Sequence, residues 1–251
     1  MSDIPGICVL VHGDSKVGKT RLGATTPAPR LILDAEGGTR FLGPTKKWDG
    51  ASEPPVADGT WETCVVIVKG FSTLRTVYQW LNSGKHPFRS VVIDSLSEVQ
   101  QRCVDEIAGT NSMEQKNWGD LFRLMSTMVR QFRDLITHPT NPLDCVLLVA
   151  MTREINNKKM AHVQGQLATT LPYYIDVVGY MYAATDDNGQ YVRRLAVTPH
   201  ALYDAGDRTG LLGAYIDNPN MTYIVQHVHN YYTQLANAVA APTTNAKEND
   251  K

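Results

Sequence analysis

Between residues 13 and 20 the chain reads Gly-Asp-Ser-Lys-Val-Gly-Lys-Thr, two glycines separated by four residues with a lysine and a hydroxyl directly after the second. A glycine-rich turn of this spacing presents consecutive backbone N–H groups to an anion. The lysine adds a positive charge at the β and γ phosphates of a nucleoside triphosphate, and the hydroxyl ligates Mg²⁺. Gly13, Asp14, Ser15, Lys16, Val17, Gly18, Lys19, Thr20 and Arg21 are therefore the candidate phosphate-binding set, with Lys19 the phosphate lysine and Thr20 a metal ligand. The apolar run Ile7-Cys8-Val9-Leu10-Val11 directly before it supplies the strand this loop needs.

A metal held by Thr20 needs a carboxylate opposite. Val91-Val92-Ile93-Asp94-Ser95 offers four residues of buried strand with Asp94 at its end, placed to hold Mg²⁺. Leu31-Ile32-Leu33-Asp34-Ala35-Glu36-Gly37-Gly38 brings a second acid, Glu36, to the same edge, and the glycines let the chain turn back. Here the chain resembles the RecA family of ATPases, in which a strand next to the P-loop strand ends in Asp-x-Glu and the glutamate orients the attacking water. That resemblance makes Glu36 the catalytic base; read from the residues alone it is a loop carboxylate whose reach to water only a structure can decide.

The same resemblance gives roles to three more segments. Thr152, with Arg153 second, stands at the end of the apolar run 144–150, where RecA-like proteins detect the γ-phosphate; alternatively Thr152 simply ends the strand. The polar loop from Arg153 to Gln166 carries Lys158 and Lys159, which, with Arg153, are the candidate DNA contacts, electrostatic and insensitive to base sequence. A solvated β-turn is the other reading of that loop. Arg208, in Asp207-Arg208-Thr209-Gly210, is the candidate arginine finger toward a neighbouring subunit. Relatives often carry a lysine two residues earlier, where this chain has Gly206, so a structural ion pair is equally open.

Together with Gln164, Gly165, Leu171, Pro172 and Asp176, these motifs are similar to the RecA-like single-strand annealing ATPases of bacteriophages, over about residues 5–215. The resemblance implies ATP and Mg²⁺ as cofactors and DNA-stimulated hydrolysis in strand annealing or exchange. It also implies single-stranded DNA, further copies of the chain in a ring or filament, and a single-strand binding protein as partners. A nucleotide-gated adaptor or helicase-loading protein uses the same nucleotide site with little DNA affinity. A small-molecule kinase is disfavoured, because no arginine-rich lid accompanies Glu36 and Asp94.

These residues need a sheet to hold them. The 251 residues, 43% hydrophobic, suffice for one large core. Strands are expected at 7–12, 30–34, 64–68, 90–94 and 144–150, and helices at 18–25, 72–83, 97–109 and 115–137. Short continuous aliphatic runs alternating with helical periods predict an α/β fold of RecA-like P-loop type, with a mostly parallel central sheet flanked by helices. Asp186-Asp187-Asn188-Gly189 predicts a C-terminal antiparallel hairpin extending that sheet. Residues 44–63 read as a long surface loop. A helix at 222–240 closes the domain, taken as 1–240, and 241–251 reads as a disordered tail. No apolar run reaches membrane-spanning length, no signal segment opens the chain, and four scattered cysteines suit a reducing compartment, so a cytoplasmic protein is expected. A formal net charge of -1 excludes global polyanion binding and confines any nucleic-acid contact to local basic segments.

Overall fold

The computed structural model describes residues 6–240; the expected tail at 241–251 lies outside them. In chain order the strands are β1 (Ile7–Gly13), β2 (Arg30–Asp34), β3 (Lys46–Lys47), β4 (Thr63–Ile67), β5 (Ser90–Asp94), β6 (Cys145–Ile155), β7 (Lys158–Ala161), β8 (Val177–Thr185), β9 (Tyr191–Ala196), β10 (Gly206–Asp207) and β11 (Tyr215–Asp217). The helices are α1 (Lys19–Gly23), α2 (Phe71–Asn82), α3 (Leu96–Ala108), α4 (Gln115–Asp134), α5 (Leu167–Tyr174) and α6 (Met221–Ala240).

All strands join one sheet in the order β11-β9-β8-β1-β6-β5-β2-β4-β3, with β10 beside β8 and β7 beside β6. From β8 to β3 every pairing along this path is parallel. The pairings β8·β9, β9·β11, β8·β10 and β6·β7 are antiparallel. The expected α/β fold with a C-terminal hairpin is thus the one observed.

Alternation sorts the strand side chains onto two faces. Leu10, Leu33, Ile93 and Leu148 face one layer with Phe71, Leu74, Val99, Met125 and Phe132 of α2, α3 and α4. Val9, Ile32, Val92 and Leu147 face the other, with Leu22 of α1 and Met221, Ile224 and Val228 of α6. Burial on both faces is why these strands read as unbroken aliphatic runs. In α4 the buried stripe starts at Leu121, whereas Trp118 in its first turn is exposed.

Three expectations change. The strand carrying the Asp-x-Glu end does not adjoin the P-loop strand: β2 pairs with β5 and β4, and β5 and β6 separate it from β1. The segment after Thr152 is not a loop but the end of an eleven-residue strand and its return. β6 continues to Ile155, turns at Asn156-Asn157 and comes back as β7. Both asparagines take left-handed φ, 50° and 60°, the conformation that two-residue hairpin turns require and asparagine tolerates. Third, residues 167–174 form a helix, α5, which the sequence reading left unassigned. The 44–63 segment is largely irregular as expected, though it contains β3 and buries Trp48. Among the described residues no helix is long and apolar enough to cross a membrane.

Candidate active site

Parallel register decides what meets at the carboxyl edge. Asp34 pairs with Asp94, and Asp94 with Val149, so the ends of β2 and β5 lie abreast of the middle of β6, while Gly13 opposite Met151 carries β1 two residues further. Into the space beyond these ends opens a cleft of about 740 Å³, within the usual range for small-molecule sites. Gly13, Asp14, Ser15, Lys16, Gly18, Lys19, Thr20 and Arg21 line it together with Glu36, Asp94 and Thr152. Of the expected phosphate-binding set only Val17 is absent from the lining; it is buried in the core beneath the loop.

The loop itself turns on Gly18, whose φ of 106° is one that side chains rarely adopt. Lys19 Nζ donates to the carbonyls of Gly13 and Asp14, both at 2.8 Å, which closes the loop around the ammonium. Burial lowers the lysine pKa, while Glu36, Asp94 and Asp14 oppose that shift. Thr20, on α1, hydrogen-bonds the Asp94 carboxylate.

Asp94 is almost fully buried, and its Oδ2 has no hydrogen-bond partner. Burial pushes its pKa up to about 6, against the Thr20 hydrogen bond that lowers it, with Glu36 and Asp34 adding to the rise. An orphaned carboxylate oxygen beside a threonine hydroxyl is a donor set suited to a hard divalent cation such as Mg²⁺, which takes oxygen ligands. The residues present therefore fit the expected metal.

Asp34 has a role the sequence reading missed. Its Oδ1 accepts from the backbone N–H groups of Glu36 and Gly37, at 3.1 and 2.6 Å, and its Oδ2 from Thr39 N at 3.0 Å and from the Thr39 hydroxyl. Buried Asp34 thus ties down the turn in which Gly37 adopts φ 77°, and that turn carries Glu36 back to the cleft across the width of β5 and β6. The Ser95 hydroxyl donates to Glu36 Oε1 while accepting from Glu98 N at the start of α3. The Ser95-Leu96-Ser97-Glu98 spacing of a helix N-terminus was a readable signal for that serine.

On β6, the Thr152 hydroxyl lies 3.0 Å from His12 Nδ1, and His12 Nε2 lies 2.7 Å from the Asp204 carbonyl. The carbonyl can only accept, so Nε2 carries the proton and Nδ1 accepts from Thr152. Burial keeps this imidazole neutral by lowering its pKa.

The hairpin lysines are engaged within the chain. Lys158 pairs with Asp204. Lys159 donates to Tyr180 Oη at 2.7 Å and stands 3.4 Å from the Asp14 carboxylate, on the phosphate loop itself. Arg153, half-buried, has an Nε without a partner. Tyr180 stacks on Tyr182 and Tyr203 at centroid distances of 5.3 and 5.0 Å, and His200 stacks on Tyr203 at 4.4 Å. This aromatic cluster, assembled from distant segments, was not visible in the sequence.

Arg208 lies apart from the cleft. It donates to Asp176 Oδ1 at 3.1 Å and to the Tyr173 carbonyl at 3.2 Å. Asp176 in turn accepts from Cys8 N, so Arg208 sits at the amino edge of the strands, at the opposite end of β1 from the phosphate loop. Besides Arg21 of the phosphate-binding set, the arginine brought to the cleft is Arg193 of β9.

No curated protein matches this sequence. Among solved structures, the chain is similar to a prototypical ATPase from the type III secretion system of pathogenic bacteria, at 12% identity and a TM-score of 0.49. That match covers 71% of this chain and 52% of the other, so the chain spans about half the length of that ATPase. The sequence matches the AAA domain family over residues 5–209, from before β1 to just past Arg208. With its phosphate loop, its buried metal-suited carboxylate and this match, the chain belongs to the AAA domain family and is a nucleotide-binding P-loop ATPase.

Proposed function

We propose that the protein is a Mg²⁺-dependent ATPase whose nucleotide state sets its grip on single-stranded DNA, serving strand annealing or exchange of the phage recombination type. The phosphate loop amides and Lys19 hold the phosphates. Thr20 and Asp94 hold the metal, which would neutralise phosphate charge when bound. Glu36, steadied by Ser95 and by the turn Asp34 organises, orients water for in-line attack.

The single observation that carries the DNA half is that one hairpin spans both tasks. β6 brings Thr152 to the cleft, and β7, its return strand, rests Lys159 on Asp14 of the phosphate loop. A change in the cleft is therefore felt at the hairpin through direct contacts. Tyr182, Tyr203 and His200 beside it supply the stacking surfaces that single-strand binders use alongside charge. Exchange of Asp14 and Asp204 for DNA phosphates would free Lys159 and Lys158 to bind.

The internal ion pairs of both lysines favour a second reading, a nucleotide-gated adaptor in which the hairpin contacts a protein. Steady-state ATP turnover with and without a long single-stranded oligonucleotide, at low and moderate salt, decides between them. Salt-sensitive stimulation that a Lys158→Ala/Lys159→Ala variant loses, with basal turnover kept, is the expected result. Turnover indifferent to DNA in the parent protein overturns the DNA reading.

A further inference from the structure

The cleft has two walls of opposite sign. Asp94 and Glu36 come from β5 and the turn after β2, two and three strands to one side of β1. Arg193 comes from β9, two strands to the other side. At about 4.8 Å per strand these walls stand on the order of 20 Å apart at backbone level, with the phosphate loop between them.

Arg193 is built into its place. Its backbone N–H donates to Asn218 Oδ1 at 3.2 Å, and its carbonyl accepts from Asn218 N at 2.6 Å. Asn218 takes a left-handed φ of 46° just after β11 and so holds both backbone groups of this one residue of the edge hairpin. The side chain lies over the phosphate loop: a Cβ added to Gly18 would come within 2.9 Å of Arg193 Nε. Among the described residues no hydrogen bond or ion pair engages its guanidinium. The next residue is the contrast. Arg194 points to the other face, bound by Asp217 through two hydrogen bonds of 2.6 and 2.8 Å and lying over the Tyr215 ring.

We infer that Arg193 is a nucleotide-binding residue, supplied by the same chain, that grips the nucleotide on the side away from Glu36 and Asp94, at the α- and β-phosphates. This rests on the ATPase reading above and adds to it the residue that holds the diphosphate part of the ligand. The metal and the attacked γ-phosphate belong to the acidic wall, so a cation on the far wall serves the part that ADP and ATP share. A guanidinium in that place binds both nucleotides alike and leaves the chemical step alone.

The test is equilibrium binding of fluorescently labelled ADP and of a slowly hydrolysed ATP analogue to the parent protein, Arg193→Ala, Arg193→Lys and Lys19→Ala. The Arg193 side chain is exposed and its backbone makes the fold contacts, so the variants should fold, which circular dichroism checks. Arg193→Ala should weaken both ligands by the same factor, roughly tenfold, with the lysine variant between. Unaltered affinity for both ligands overturns the inference, as does weakening of the ATP analogue alone with a fall in turnover, which would place Arg193 on the γ-phosphate. Absence of nucleotide binding by the parent protein would instead sink the ATPase reading, and loss in Lys19→Ala ties the measured binding to this cleft.

Discussion

The two edges of the central sheet treat charge in opposite ways. At the amino edge, charged groups are satisfied. Buried Arg30, opening β2, donates to the Thr26 carbonyl at 2.7 Å and to Thr63 Oγ1 at 2.9 Å, and Arg208 and Asp176 bind one another. At the carboxyl edge three are left wanting. Asp94 is buried with an oxygen unpartnered, Lys19 has only carbonyls of its own loop, and Arg193 has no partner among the described residues. A buried polar group without a partner costs about 1–3 kcal/mol, so one edge stabilises the fold and the other stores the capacity to bind.

The sharpest way to break this contrast is at Glu36. Glu36→Gln keeps the shape and removes the base, and should lower turnover by about 10²–10⁴-fold while leaving affinity for the ATP analogue near the parent value. Turnover within a few-fold of the parent would return Glu36 to being an ordinary loop carboxylate. At the other edge, Arg30→Met should cost about 2–3 kcal/mol in denaturant unfolding, because it strips two buried acceptors of their donor. Turnover per folded molecule should not move. The ion pair to Glu62, which is largely exposed, contributes little of that loss.

A smaller effect separates the edges by pH. Burial lowers the His12 pKa from its ordinary 6.5, so below that value the unfolded chain takes up a proton that the folded chain resists. The stability from neutral His12 is full above about pH 6.5 and drains away as the pH falls toward the folded value. His12→Asn should flatten that stretch of the stability profile; an unchanged profile would show that the imidazole is not held neutral by the fold. The smallest change is expected of Arg208→Ala. Its exposed pair with Asp176 should contribute about 0.5 kcal/mol, with turnover intact. A fall in turnover of 10³-fold at protein concentrations that favour assembly would instead establish Arg208 as a finger acting on a neighbouring subunit.

Glu36 and Arg193 show how far residue patterns reach. Glu36 was found because it follows a recognisable strand end by two residues, yet the neighbour expected for that strand was wrong. β2 lies three places from β1, and Asp34, passed over in the sequence, makes the turn that compensates. Arg193 sits in an unremarkable Tyr-Val-Arg-Arg stretch, and nothing in that stretch distinguishes it from Arg194. Strand alternation sends one to the cleft and the other to Asp217, and only the register with β8 and the clamp by Asn218 say which. The hairpin turn at Asn156-Asn157 did carry a local signal, but the polar residues around it masked the strands.

The amino-acid sequence alone determined the phosphate loop, the strand ending at Asp94, the parallel α/β class and the C-terminal hairpin, because each depends on residues near one another in the chain. Backbone angles, glycine turns and aliphatic periods act over a few positions. Tertiary structure alone decided strand order, the pairing of Lys159 with Asp14 across 145 residues, and the entry of Arg193, in place of the candidate Arg208, into the cleft. Those outcomes depend on which faces must be buried together, a long-range free-energy balance that no short stretch of sequence contains.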